Sequence, residues 1–153
     1  VAYVVGRIHT ETVRASLESA DLATDAPGSL GALLRAAMTG NTTAVSALIE
    51  RGLNVNARDD HGRTPLLEAV FGGHSDTIEY LLSRGADPDL KDRDGWTALM
   101  EAASKSHVDA VRMLLGSGAD PNARNNRGWT ALRTTARGNA EIIRLLKQAG
   151  ARR

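Results

Sequence analysis

The chain has 153 residues, 42% of them apolar and 24% charged, with a formal net charge of +1 and no cysteine. That length holds one domain or one short array, and the missing thiols exclude disulfides, thiolate metal sites and cysteine nucleophiles. No stretch approaches the ~18 consecutive apolar residues of a membrane span. The charge is lopsided: residues 1–120 carry 11 Lys/Arg against 17 Asp/Glu, a balance of −6, and residues 121–153 carry 8 against 1, a balance of +7. Such asymmetry can mark a surface for an acidic partner, although a solvated basic end accounts for it as simply.

Residues 1–29 stand apart from the rest of the chain. VAYVV at the start is β-branched and apolar and reads as a short strand or an apolar tail. The run TETVRASLESADL, Thr10 to Leu22, reads as a short helix with Thr10 as N-cap, Glu11 in the first turn and Val13, Leu17 and Ala20 on one side. Asp25-Ala26-Pro27-Gly28-Ser29 breaks it. A helix this short is marginal alone. It is expected to dock, as an extension of an N-terminal cap, in a groove of the array, or against a neighbouring domain. The chain begins at Val1 rather than Met, which leaves room for a removed targeting segment; a cytoplasmic location is the expectation.

Further along, the chain repeats itself. DDHGRTPLLEAVFGGHSDTIEYLLSRGADPDLK runs from Asp59 to Lys91 and DRDGWTALMEAASKSHVDAVRMLLGSGADPNAR from Asp92 to Arg124, each 33 residues long. Gly62 matches Gly95, Thr64 Thr97, Leu66 Leu99, Ala69 Ala102 and His74 His107, and Gly85-Ala86-Asp87-Pro88 matches Gly118-Ala119-Asp120-Pro121. A fixed period of this kind means one supersecondary unit copied and stacked. Aromatics at 3% beside plentiful Ala and Leu suit closely packed thin helix pairs.

At these residues the chain resembles the ankyrin repeat family, whose signature runs D-x-x-G-x-T-P-L-H-x-A-A, then G-H, a paired leucine and G-A-D-x-N. The resemblance spans about four fifths of the chain. It implies an all-α solenoid of helix-turn-helix units joined by β-hairpin loops. The repeats would lie at about 30–58, 59–91, 92–124 and 125–153, the outer two acting as caps. One departure stands out. The histidine that follows T-P-L in the family, where it braces neighbouring repeats by hydrogen bonds, is replaced here by Leu67, Met100 and Arg133.

In the first unit Leu33, Ala36, Ala37, Val45, Leu48 and Ile49 take core positions, and Gly31-Ala32 stands in place of T-P. In the second, Thr64 is a natural N-cap and Pro65 fits the first helical position. Leu66, Ala69, Val70, Ile78, Leu81 and Leu82 are expected inside, and Gly85 should end the second helix in the left-handed conformation. The third unit uses the same parts, with Ala98 for the proline. The fourth keeps Thr130-Ala131-Leu132, Gly138, Ile143, Leu145-Leu146 and Gly150-Ala151, but one residue is missing between Thr130 and Gly138. Lys147, Arg133, Arg137 and Arg144 coat it, as suits a C-terminal cap.

The resemblance also implies a protein-binding scaffold, acting as a monomer with no cofactor. The partner would meet a concave side made of hairpin tips and the outer edge of each first helix. By register, the variable positions there are Asp60, His61, Arg63, Phe71, Lys91, Arg93, Asp94, Trp96, Ser104, Lys105, Arg124, Asn126, Arg127, Trp129 and Arg137. Of these, His61, Arg63, Phe71, Arg93, Asp94, Trp96, Lys105, Arg124, Arg127 and Trp129 are the strongest candidates. Trp96 and Trp129 lead them, because tryptophan and arginine are enriched at binding hot spots. Each tryptophan could equally pack on its neighbour's hairpin. A regulatory or targeting module, with residues 1–29 contacting the groove or a neighbouring domain, is the alternative.

Other constellations read as structure. Glu68 and Glu101 occupy equivalent slots about 10 Å apart, but no substrate-positioning residues accompany them, so no enzymatic activity is expected. His74 and His107 should hydrogen-bond the loop between repeats, and no third ligand with metal spacing joins them. Asp87, Asp89, Asp92 and Asp94 lack the spacing and closing Glu of a calcium loop and read as solvated hairpin charge. No phosphate loop or nucleophile motif is present. Nucleic acid is not the expected partner of the basic end.

Overall fold

The 33-residue period becomes a stack of helix pairs. The computed structural model describes residues 28–135 and 138–152. Within them lie eight α-helices: α1 (Leu30–Met38), α2 (Thr42–Glu50), α3 (Pro65–Gly72), α4 (Ser75–Ser83), α5 (Ala98–Ser104), α6 (Val108–Gly116), α7 (Ala131–Thr134) and α8 (Ala140–Gln148). Each odd-numbered helix packs on the even-numbered helix after it. The odd helices stack on one another as one layer and the even helices as the other. The expected strand and helix within residues 1–22 fall outside the described residues, as does Arg137.

Local chemistry sets the helix ends. The hydroxyls of Thr64 and Thr97 accept the backbone N–H of Leu67 (3.2 Å) and Met100 (3.3 Å), so each first helix starts where a threonine can satisfy an orphan donor. Ser29, expected to belong to a breaking segment, does the same for Ala32 at 3.2 Å and so starts α1. Pro65 takes the first turn of α3, where its missing N–H forfeits nothing. Gly85 follows α4 with φ 86°, the left-handed conformation expected of it.

The core is two leucine columns. Leu33, Leu66 and Leu99 come from the first helices and Leu48, Leu81, Leu114 and Leu146 from the second, all essentially buried. Each contributes about 1.5–3 kcal/mol of transfer free energy, and each is covered by the unit next to it. The outer member of each leucine pair differs from expectation: Leu82 and Leu115 are only partly buried. In the last unit Ile142 is the buried isoleucine and Ile143 only half-buried, because no further helix pair covers that end. Leu67 and Met100, in the family's histidine slot, are 1% exposed and bury apolar surface there, while Arg133 is exposed.

The fingers between units are turns. Among the described residues no run of strand forms. Instead the side chains of Asp59, Asp92 and Asn125, one period apart, each accept two backbone N–H groups. Asp59 takes those of His61 and Arg63, Asp92 those of Asp94 and Trp96, and Asn125 those of Arg127 and Trp129, all within 2.8–3.0 Å. One backbone bond then ties each tip to the next, Arg93 N–H to the His61 carbonyl (2.9 Å) and Asn126 N–H to the Asp94 carbonyl (3.0 Å). The Asp-rich arms are therefore structural acceptors more than solvated charge: Asp87 accepts from Asp89 N–H and Asp89 from Asp120 N–H.

The single-residue deletion shortens α7 to Ala131–Thr134, against seven to nine residues in the other first helices. Thr135 leaves the helix at φ −56°, ψ 122°. The hydroxyls of Thr134 and Thr135 both donate to the Ala131 carbonyl, at 3.0 and 2.9 Å, a side-chain bond that competes with helix continuation.

Candidate functional site

Two clusters on the variable positions carry chemistry. The first lies where α3 meets the finger ahead of it and the helices on either side. Met38 lies in the last turn of α1 and Phe71 in the last turn of α3, one period apart, and they are the two large apolar side chains left exposed among the described residues, at 40% and 45%. With Arg63, Glu68 and Glu101 they line an open groove of about 340 Å³. Arg63 is its electrostatic hub. Its Nε donates to Glu68 Oε1 at 2.7 Å and its Nη1 lies 3.5 Å from Asp92 Oδ2. Its guanidinium carbon lies 5.7 Å from the centre of the Phe71 ring, and Lys105 Nζ stands over the same ring at 4.0 Å. Both are cation–π distances.

These contacts tune two groups. Burial pushes the Glu101 carboxyl above its ordinary range, and the positive charges of Arg63 and Lys105 only partly offset it. Burial would lower Arg63, but its bond to Glu68 and the charges of Glu68, Glu101 and Asp92 outweigh this and hold it above its usual value. The paired glutamates are thus braces around an arginine, and the groove is half-desolvated and mixed in charge.

The second cluster closes the C-terminal end. Trp129, half-buried, carries two guanidiniums over its ring: Arg127 at 5.4 Å and Arg133 at 5.2 Å from its ring centre. Beside it a cavity of about 330 Å³ is lined by Arg124, Gly128, Thr130, Leu132 and Arg133. Arg124 is held there by a 2.9 Å bond from Nη1 to the Gly128 carbonyl. Asn125, 6% exposed beneath this finger, leaves its Nδ2 without a hydrogen-bond partner.

The expected site residues therefore fall into groups. Arg63, Phe71 and Lys105 form the groove, and Arg127 and Trp129 the end cluster. His61, Arg93 and Asp94 are exposed on adjoining tips, linked through backbone. Trp96 is half-buried and packs against the core, so its equivalence to Trp129 ends at the register. The head groups of Lys91 and Arg124 are engaged with backbone carbonyls. Sequence reading missed Met38, whose signal was its place 33 residues before Phe71, and Arg133, which was visible as a substitute for the family histidine and as part of the basic coat of the last unit but not as a site residue. His74 bonds the Met38 carbonyl through Nε2 at 2.9 Å, as expected of that slot. His107 instead lies against Gly73; burial, then Lys105 and His74, lower its pKa.

Among the described residues no cluster of three or more His, Cys, Asp or Glu could hold a metal ion, and no helix is long and apolar enough to cross a membrane. Stacked helix pairs with variable tips define a repeat-built interaction fold. The chain belongs to the ankyrin repeat family: the model described as Ankyrin repeats (3 copies) matches residues 2–92 and again residues 84–152. Ankyrin repeats generally mediate protein–protein interaction. No curated protein matches the chain significantly.

Proposed function

We propose that this chain is a monomeric protein-binding scaffold whose partner docks across the finger tips and the exposed ends of the first helices. The repeats divide at about 30–58, 59–91, 92–124 and 125–153. The observation that carries the reading is the exposed Met38–Phe71 pair inside the groove of Arg63, Glu68 and Glu101. An apolar anchor ringed by charge is the usual composition of a binding hot spot with its polar rim. The stacked units hold these side chains in place beforehand, which keeps the ordering cost of association low. His61, Arg93 and Asp94 on the tips supply steering and selectivity, and Lys105 and Arg63 both stand over the Phe71 ring.

The test is affinity capture from an extract of the source cell with the wild-type chain and with Met38→Ala/Phe71→Ala. Circular dichroism first establishes that the variant folds, as the exposure of both side chains leads us to expect. A protein retained by wild type and lost by the variant is the expected result. Equal capture by both chains would remove the groove from the interface.

A further inference from the structure

We propose that the cluster of Arg127, Trp129 and Arg133 is an anchor for a short acidic peptide segment. The inference rests on the reading of the chain as a protein-binding scaffold and names the chemistry of one part of its partner. The two arginines come from different elements, a finger tip and α7, yet both stand within 6 Å of one indole ring. Both are exposed, and among the described residues neither is paired with a carboxylate. The contrast with Arg63, Arg112 and Arg144 is direct, since each of those has an acidic partner. A guanidinium held over an aromatic face keeps its N–H edges for bidentate acceptors such as carboxylates. The neighbouring cavity, with Leu132 and Gly128 in its lining and Arg124 fixed at its edge, has room for one apolar side chain beside them.

Charge complementarity selects the occupant. Residues 121–153 carry a balance of +7 and the rest of the chain −6. A long polyanion leaving the cluster would reach Asp94 and Glu101, one unit away at about 10 Å, and be repelled within a Debye length. A segment with two or three carboxylates and an apolar residue fits inside one unit, whereas a nucleic acid strand does not.

The test is fluorescence anisotropy of a labelled synthetic peptide of alternating glutamate and leucine, titrated with the whole chain. Arg127→Gln and Arg133→Gln, both at exposed positions, are each expected to weaken binding about five- to tenfold, and added salt to weaken it further. A peptide with lysine in place of glutamate should not bind. No glutamate-peptide binding up to about 1 mM chain, or binding indifferent to both substitutions, would overturn the proposal. Tighter binding of an oligothymidylate of equal length would overturn it in favour of nucleic acid. Failure here, with capture still lost on Met38→Ala/Phe71→Ala, would leave the scaffold reading standing, because neither of those residues belongs to the cluster.

Discussion

Gly73 and Ser106 occupy one slot in successive units, both in the left-handed region at φ 73° and φ 61°. An L-residue there carries roughly 1–2 kcal/mol of backbone strain. At Gly73 a Cβ would also lie 2.9 Å from Cε1 and 3.1 Å from Nε2 of His107, so the imidazole would have to move. Gly73→Ala reduces unfolded-chain entropy by an amount equivalent to about 0.4–1 kcal/mol, which does not offset both penalties; a net loss of about 1–3 kcal/mol is expected. Ser106 is exposed. Ser106→Gly relieves the strain and gives back some unfolded-state entropy, for a net gain of about 0.5–1 kcal/mol. Urea denaturation followed by circular dichroism measures both, and thermal midpoints should shift by about 2–4 °C per kcal/mol. In the double variant Gly73→Ala/His107→Ala the steric part should vanish and the backbone part remain, appearing as a coupling energy between the two sites. A lower midpoint for Ser106→Gly, or an unchanged one for Gly73→Ala, would refute this account of the slot.

Asn56 and Asn122 each join neighbouring units twice, accepting a backbone N–H and donating Nδ2 to the carbonyls of Gly85 (3.2 Å) and Gly150 (3.1 Å). The side chain of Asp89, in the slot between them, accepts from Asp120 N–H, but its carboxylate has no N–H to donate across to the next unit. Asp89→Asn should therefore raise stability by about 0.5–1 kcal/mol in the same urea assay. Glu101 has its pKa raised by burial. Its folded form binds protons more readily than its unfolded form, so stability is lost as pH rises through the folded value. Glu101→Gln should accordingly raise the denaturation midpoint at pH 7 relative to its effect near pH 3–4, where the unfolded carboxyl is also protonated. His107, lowered by burial and by Lys105 and His74, acts in the opposite sense: stability falls as pH drops below about 6.5, and His107→Gln should flatten that fall between pH 7 and pH 5.

The fold was legible because its information is periodic. Thr64 and Thr97, the inner leucine of each pair and Gly85 read as caps, core and terminator from local chemistry alone, and the structure places each in that role. The early end of α7 was half legible. The deletion before Gly138 was visible in the sequence, but not that Thr134 and Thr135 would turn their hydroxyls onto the Ala131 carbonyl. Exposure at Leu82 and Ile143 was illegible because it depends on how far each second helix is covered by the next unit.

By itself the sequence determined the architecture and the candidate surface: a 33-residue period allows one stacked solution, and register assigns each variable residue to a slot. Tertiary structure alone decided what each slot does. Trp96 and Trp129 share a register, yet one packs against the core and the other carries two arginines over its ring. Glu68 and Glu101 looked like a pair, yet both act on Arg63, Glu68 by a hydrogen bond and both by charge, and Arg63 stands over the Phe71 ring. The physical reason is that period fixes where a backbone position lies, while a side chain's burial and charge partner depend on the residue that an adjacent unit brings against it.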